Sequence, residues 1–347
     1  MARMLLMTLM LPMQISNRNI EEMGMKLPER NWENFLLLSV LFIFCVLLIG
    51  GGMFLGHQWN HSSSHIHIAV SSDEKEDVST IENASKEEKK VLEEELSSLF
   101  AGDDAQYSVY VLFPSWSTPL VENDRQQSSA SVIKIFILST AYEMAEQGKL
   151  NLDEKIRVRR KDMVGGAGVL NGRAGEPVLS IRELLRLMIT ESDNTATNIL
   201  IDRLTFARIQ DYCDTHGFTD TVLRRKMMDD KALRAGRDNL TTVKDVGEWM
   251  RRLKARELVS SSADAAMEQM LFAQTDTECF PRALPQAGIA HKTGELAGLY
   301  HDAGIIYDGN RGYVLVIFSS KSANRGKTLQ TMRRMTEVVN NSFLSDD

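Results

Sequence analysis

Cysteine is scarce: Cys45, Cys213 and Cys279 are the whole complement of a 347-residue chain. Three thiols so scattered exclude a disulfide framework and a zinc centre, both of which need closely patterned sets of ligands. Basic charge is short as well, with 40 Lys and Arg against 47 Asp and Glu and a formal net charge of −7. A general nucleic-acid binder neutralises phosphates with a concentrated basic surface, and no such stripe is present, so no nucleic-acid partner is expected. An internal repeat is also lacking, which excludes a solenoid. His57, His61, His65 and His67 do cluster, but in a Ser-rich polar stretch with nothing to orient them, so no metal is expected there.

With 43% hydrophobic and 25% charged residues, the chain reads as globular and able to bury a sizeable core. Residues 35–55 are uncharged and apolar, long enough as a helix to cross a hydrocarbon core of about 30 Å. Arg3, Arg18, Lys26 and Arg30 precede this run, while the first basic residue after it is Lys75. The positive-inside rule therefore places residues 1–34 in the cytoplasm, a single anchor in the lipid bilayer at 35–55, and the rest outside the cell membrane. A shorter product starting at Met23 or Met25 keeps the anchor. Residues 56–85 are polar and aperiodic and read as a flexible linker, leaving residues 86–347 as the working domain.

From Lys86 the period is helical, with Val91, Leu92, Leu96, Leu99 and Phe100 on one side. Residues 107–113 alternate like a strand. Helices follow at about 132–147 (ending at Gly148), 180–188 and 195–204, then strands at 287–292, 303–307 and 313–319, and a final helix at about 326–339. Strands at both ends with helices between predict an α+β fold: an antiparallel sheet formed from both ends of the domain, flanked by helices, with an inserted all-helical region.

Three short motifs occur in order: Ser131-Val132-Ile133-Lys134, Ser192-Asp193-Asn194 and Lys292-Thr293-Gly294. Each alone is an ordinary cap or turn; together they point to one site. Ser131 falls at the start of a predicted helix, which puts Lys134 one turn on and on the same face, an amine within reach of a hydroxyl. A desolvated lysine crowded by a second cation, here Lys292, gives up its proton more readily. The helix start offers free N–H groups to an oxyanion. Lys292 and Thr293 supply a cation and a hydroxyl suited to a carboxylate. A second Ser-x-x-Lys, at Ser72 and Lys75, lies in the linker and carries no such context.

From about Lys86 onward the chain resembles the class A β-lactamases and penicillin-binding serine hydrolases. The three motifs stand in family order, accompanied by Gly165-Gly166-Ala167-Gly168-Val169-Leu170, by Met188-Ile189-Thr190 and by His301-Asp302-Ala303-Gly304. That resemblance implies Ser131 as the acylated nucleophile, Lys134 as its activating amine and Ser192 as a proton relay. It implies Asn194 as a contact to the substrate amide, and Lys292 and Thr293, with Gly294 beside them, as the carboxylate site. The backbone N–H groups of Ser131 and Glu295 would form the oxyanion hole. The implied substrate is a β-lactam or a peptidoglycan-like peptide, with no metal or organic cofactor, in a bacterial enzyme.

Two departures stand out. Where β-lactamases carry a Glu followed by Leu-Asn, this chain has Arg225-Lys226-Met227-Met228-Asp229-Asp230-Lys231, so a deacylating base would be Asp229 or Asp230. Glu295 puts a carboxylate beside the carboxylate site, where it should repel an anionic ligand unless it turns outward. A D-alanyl-D-alanine peptidase and a β-lactam sensor without turnover therefore stand beside the β-lactamase reading.

Overall fold

The computed structural model describes residues 72–345, with side chains from residue 85 onward. In chain order the strands are β1 (Gln106–Leu112), β2 (Leu120–Glu122), β3 (Gln127–Ser128), β4 (Lys155–Arg157), β5 (Val178–Ser180), β6 (Leu240–Thr241), β7 (Gly288–Leu296), β8 (Leu299–Asp308) and β9 (Arg311–Ser320). The helices are α1 (Ser72–Ala101), α2 (Lys134–Glu146), α3 (Ile181–Thr190), α4 (Asn194–Leu204), α5 (Phe206–Thr215), α6 (Asp230–Arg234), α7 (Val243–Ala255), α8 (Ser261–Phe272), α9 (Phe280–Ala283) and α10 (Arg325–Ser345).

One five-stranded sheet runs β2-β1-β9-β8-β7, antiparallel throughout. Its central strands are buried on both faces, which is why β9 reads as the near-continuous apolar run Tyr313-Val314-Leu315-Val316-Ile317-Phe318 rather than as an alternation. Against one face, α1 and α10 lay Leu92, Leu96, Leu329, Met332, Val339 and Phe343 over Tyr107, Val109, Leu315 and Ile317. Against the other, the helical region packs around α2, whose residues Ile135, Phe136, Ile137 and Leu138 are all fully buried. A helix apolar on every side belongs inside a core. Two minor pairs, β3 with β6 and β4 with β5, tie the helical region together.

The α+β layout, the sheet drawn from both ends and the helical insertion agree with the sequence reading. Local signals explain several boundaries. Ser180 and Glu183 form a reciprocal capping box that starts α3. The last turn of α2 closes at Gln147, followed by Gly148 at a φ of +68°.

Two features differ from expectation. The first helix begins at Ser72 rather than near Lys86, so the last part of the proposed linker, including Ser72 and Lys75, is helical. Glu, Lys and Ala favour a helix by propensity even without an apolar stripe to reveal it. Ser131 lies in a 3₁₀ turn, Ala130–Ile133, and the α-helix itself begins at Lys134. No helix among the described residues is long and apolar enough to cross a membrane, and residues 35–55 lie outside them, as do the four clustered histidines.

Candidate active site

The turn that carries Ser131 is strained. Ala130 holds a φ of +44°, a conformation that L-residues avoid, and it persists because both sides of the turn are fixed. Ser129 donates its N–H to the carbonyl of Asn239 at 2.9 Å. On the other side β7 comes so close at Gly294 that a Cβ there would lie 3.1 Å from both Ala130 Cβ and Ser131 N. Gly294 thus lets the strand press against the turn. The 3₁₀ spacing puts residues three apart on one face, and Lys134 Nζ reaches Ser131 Oγ at 2.9 Å.

Lys134 is the hub. Its amine also donates to Ser192 O at 2.7 Å, Ser192 Oγ at 3.1 Å and Asn194 Oδ1 at 3.0 Å. The side chain is fully buried, and desolvation first, then the nearby positive charge of Lys292, push its pKa well below the ordinary lysine range; Asp193 pulls the other way. Lys292 donates to Ser192 Oγ at 3.1 Å and to Thr293 O at 2.8 Å. Burial lowers its pKa to about 8, with Asp276 and Asp302 opposing the shift. Ser192 therefore sits between two amines, with its backbone held at a φ of +51°. Ser131, Lys134, Ser192, Asn194 and Lys292 form one connected hydrogen-bond network, and Thr293 and Gly294 join it through β7.

Behind this network stands Asp193, which the sequence reading passed over. Its buried carboxylate caps α4 through Ala196 N at 2.8 Å and accepts from Val169 N at 2.7 Å and Leu170 N at 2.8 Å. Gly168, at a φ of +114°, has no room for a side chain, since a Cβ would fall 2.3 Å from Asp193 Oδ2. Asn194 continues the attachment to residues 165–167, donating from Nδ2 to Gly165 O at 3.2 Å and from its backbone N–H to Ala167 O at 3.0 Å. The glycine-rich string is thus the wall of the site opposite β7.

Glu295 does turn outward. Its carboxylate takes a two-pronged contact from Arg325, at 2.6 Å and 3.0 Å, and Arg325 also pairs with Glu278 and lies over the Tyr300 ring. The guanidinium thereby offsets the repulsion expected of a lone carboxylate at this end of the site. A cavity of about 260 Å³ opens beside the pair, lined in part by Tyr300 and Thr328.

Asp229 and Asp230 are not drawn into the network. Both are exposed; Asp229 caps α6 by accepting from Ala232 N at 2.9 Å, and Asp230 is the first residue of that helix. The segment is instead docked by Asn198, one turn beyond Asn194, which donates to Met227 O at 3.0 Å and accepts from Met227 N at 2.7 Å. The side chain that reaches the wall is the thioether of Met228, lying so near Gly166 that a Cβ there would be 2.8 Å from the sulfur. Asp193, Asn198 and Arg325 carried only weak signals in the sequence: a cap residue, an amide one turn along and a lone basic residue at a helix start.

A model of the beta-lactamase enzyme family matches residues 90–343, and the chain belongs to that family. It is thus a β-lactamase-type serine hydrolase, as the three motifs imply. Among curated relatives, the extended-spectrum beta-lactamase PER-1 of Pseudomonas aeruginosa is 25% identical over 256 residues, 69% of this chain and 82% of the relative. Among solved structures, the beta-lactamase of Sphaerobacter thermophilus superposes with a TM-score of 0.67 at 25% identity, covering 72% of this chain and 96% of its own. A PBP-A variant captured as an acyl-enzyme complex with penicillin G gives a TM-score of 0.68 at 25% identity, covering 74% and 97%.

Proposed function

We propose that Ser131 attacks the carbonyl carbon of a β-lactam, or of a D-Ala-D-Ala-like amide, and forms an acyl-enzyme. The single observation that carries this reading is the fully buried Lys134, its amine 2.9 Å from Ser131 Oγ and its charge disfavoured by burial and by Lys292. In the neutral form the amine accepts the Ser131 proton as the C–O bond forms. The oxyanion accepts from the N–H groups of Ser131 and Glu295, at a turn and strand pressed together over Gly294. As the C–N bond breaks, the leaving nitrogen takes a proton from Ser192, which is replenished through the amines on either side. Lys292 and Thr293 hold the ligand carboxylate, and Asn194 its amide. In a β-lactamase, water then hydrolyses the ester.

A second reading changes only the last step. The carboxylate of Asp229 is engaged as a helix cap, and the thioether of Met228 lies where the segment meets the wall. These two observations favour slow release, as in a penicillin-binding peptidase or a sensor. Full-length protein incubated with a penicillin and followed by intact-mass spectrometry separates the cases: a transient adduct supports hydrolysis and a lasting one the peptidase or sensor. Ser131→Ala should abolish the adduct and Ser72→Ala should leave it unchanged; an adduct on the Ser131 variant would sink the assignment.

We further propose that residues 35–55 anchor the chain in the cell membrane with the catalytic domain outside. The support is the length of the apolar run and the basic residues that precede it. Protease added to intact cells should digest the domain; protection until lysis would refute the placement.

A further inference from the structure

His301 lies beneath the turn that carries Ser131, on β8, a strand that supplies no side chain to the acylation scheme, and on the sheet face it shares with its cross-strand partner Gly294. It is fully buried, stands opposite Gly294 across β7 and opposite Phe318 across β9, and stacks on the Phe318 ring at 4.1 Å between centroids. Its Nε2 lies 2.8 Å from the carbonyl oxygen of Ser128. A carbonyl only accepts, so Nε2 carries the hydrogen, and in a neutral ring Nδ1 is then an acceptor. Nδ1 makes no hydrogen bond of good geometry among the described protein atoms, and the Tyr300 backbone is the other main-chain group close to the ring. Burial lowers the pKa of this imidazole to about 4, so at neutral pH it is uncharged.

A buried ring that makes one well-formed hydrogen bond and leaves its other nitrogen without one is a costly way to fill a core position, where an apolar side chain would leave nothing unsatisfied. The bond it does make goes to the carbonyl two residues before Ala130, where the chain enters its positive-φ conformation. With Ser129 held by Asn239 from one direction and Ser128 by His301 from below, the strained turn has little freedom left.

We propose that His301 is a positioning residue for acylation: through Ser128 it holds the Ala130–Ser131 turn so that the Ser131 hydroxyl faces Lys134 and the Ser131 N–H faces the space over Gly294. It touches no reacting atom. The inference rests on the acylation reading above and names one further residue for the same site. A displacement of about 1 Å at a reacting group costs on the order of a hundredfold in rate, whereas affinity for the unreacted ligand depends mainly on Lys292, Thr293 and Asn194.

The test compares His301→Leu, His301→Gln and His301→Asn. A glutamine amide nitrogen reaches the position of Nε2, while that of asparagine reaches only the position of Nδ1. Stopped-flow acylation by a fluorescent penicillin gives the non-covalent Kd and the acylation rate constant separately, and thermal melting reports stability. The expected result is an acylation rate at least about tenfold lower in His301→Leu and His301→Asn with Kd within about threefold of the parent, and most of the rate recovered in His301→Gln whatever its melting temperature. Equal acylation rates in all three variants and the parent, or a glutamine variant no faster than the asparagine one, would overturn the role of His301. Should His301→Leu not fold, the glutamine and asparagine pair decides alone. A parent protein that takes no label overturns the acylation reading itself, an outcome distinct from a labelled parent with indifferent variants.

Discussion

Around Ser131 buried polar groups converge on one amine, whereas along residues 225–231 the carboxylates turn to solvent or to backbone caps. Lys134 meets Ser131, Ser192 and Asn194 within 3.1 Å, in a setting dry enough to depress its pKa. Asp229 meets the N–H of Ala232, and Asp230 begins a five-residue helix. The first region suits the ester formation proposed for Ser131. The second holds its backbone with equal care, through Asn198 and Met227, but presents a thioether. On the proposed scheme, bond formation and bond release would thus rest on differently built regions, and variants can probe each separately.

The largest effect should come from Lys134→Ala. Loss of a general base typically costs about 10²–10⁴-fold, so acylation by a fluorescent penicillin should slow by that order while the melting temperature changes little or rises. A variant acylated within about threefold of the parent would place the base elsewhere.

Next is Met228→Glu, which brings a carboxylate to the wall that now carries sulfur. The adduct should shorten its lifetime by roughly tenfold or more by mass spectrometry, since general-base catalysis acts on the step it serves. An unchanged lifetime would mean that water has no productive approach from this side.

pH distinguishes the two amines. Lys292, at about 8 instead of 10.5, is the cation that meets an anionic ligand; as pH rises through about 8 it loses its proton and Kd for a penicillin should weaken. In the proposed scheme Lys134 acts in the neutral form, so the acylation rate constant should not fall over the same interval. A Kd flat from pH 7 to 9 would remove Lys292 from carboxylate recognition.

A smaller change is expected of Arg325→Ala, which leaves Glu295 uncompensated. The pair is about half exposed, so the penalty should be only about two- to fivefold in Kd for an anionic β-lactam, reduced by added salt and absent in the Arg325→Ala, Glu295→Gln double variant. Smallest of all is Asp229→Asn: asparagine caps helices as well as aspartate, and adduct lifetime should stay within about twofold of the parent. A lifetime extended by orders of magnitude would restore Asp229 as the deacylating base.

The site was legible in the sequence wherever chemistry and local geometry coincide. Ser131 and Lys134 lie one turn apart, and Ser192 and Lys292 belong to motifs whose order alone places them in one cleft. What stayed hidden depends on distant pairings. Nothing local in Gly166-Ala167-Gly168 announces that the carboxylate of Asp193 will occupy the space of a Cβ, and nothing near Glu295 points to Arg325 at the start of the last helix. The fold shows the same division. Alternation and capping revealed the long strands β1, β7, β8 and β9 and the helices α1 to α4 and α10, but not the short strands or the helices between α4 and β7, and the first part of α1 lacked the apolar stripe on which such a reading relies. The 3₁₀ segment at Ser131 reads as the start of an α-helix because i,i+3 proximity is common to both helix types.

The strand order has a mechanical side. Any tension entering the domain through its N-terminus arrives along α1, which packs on α10, and passes to β1, which is zipped to β9 from Gln106–Ser320 to Leu112–Val314. β7, carrying Lys292 and Thr293, lies at the far edge, with β9 and β8 intervening. A pull entering through β1 would thus have to cross β9 and β8 before it reached the strand that carries Lys292 and Thr293.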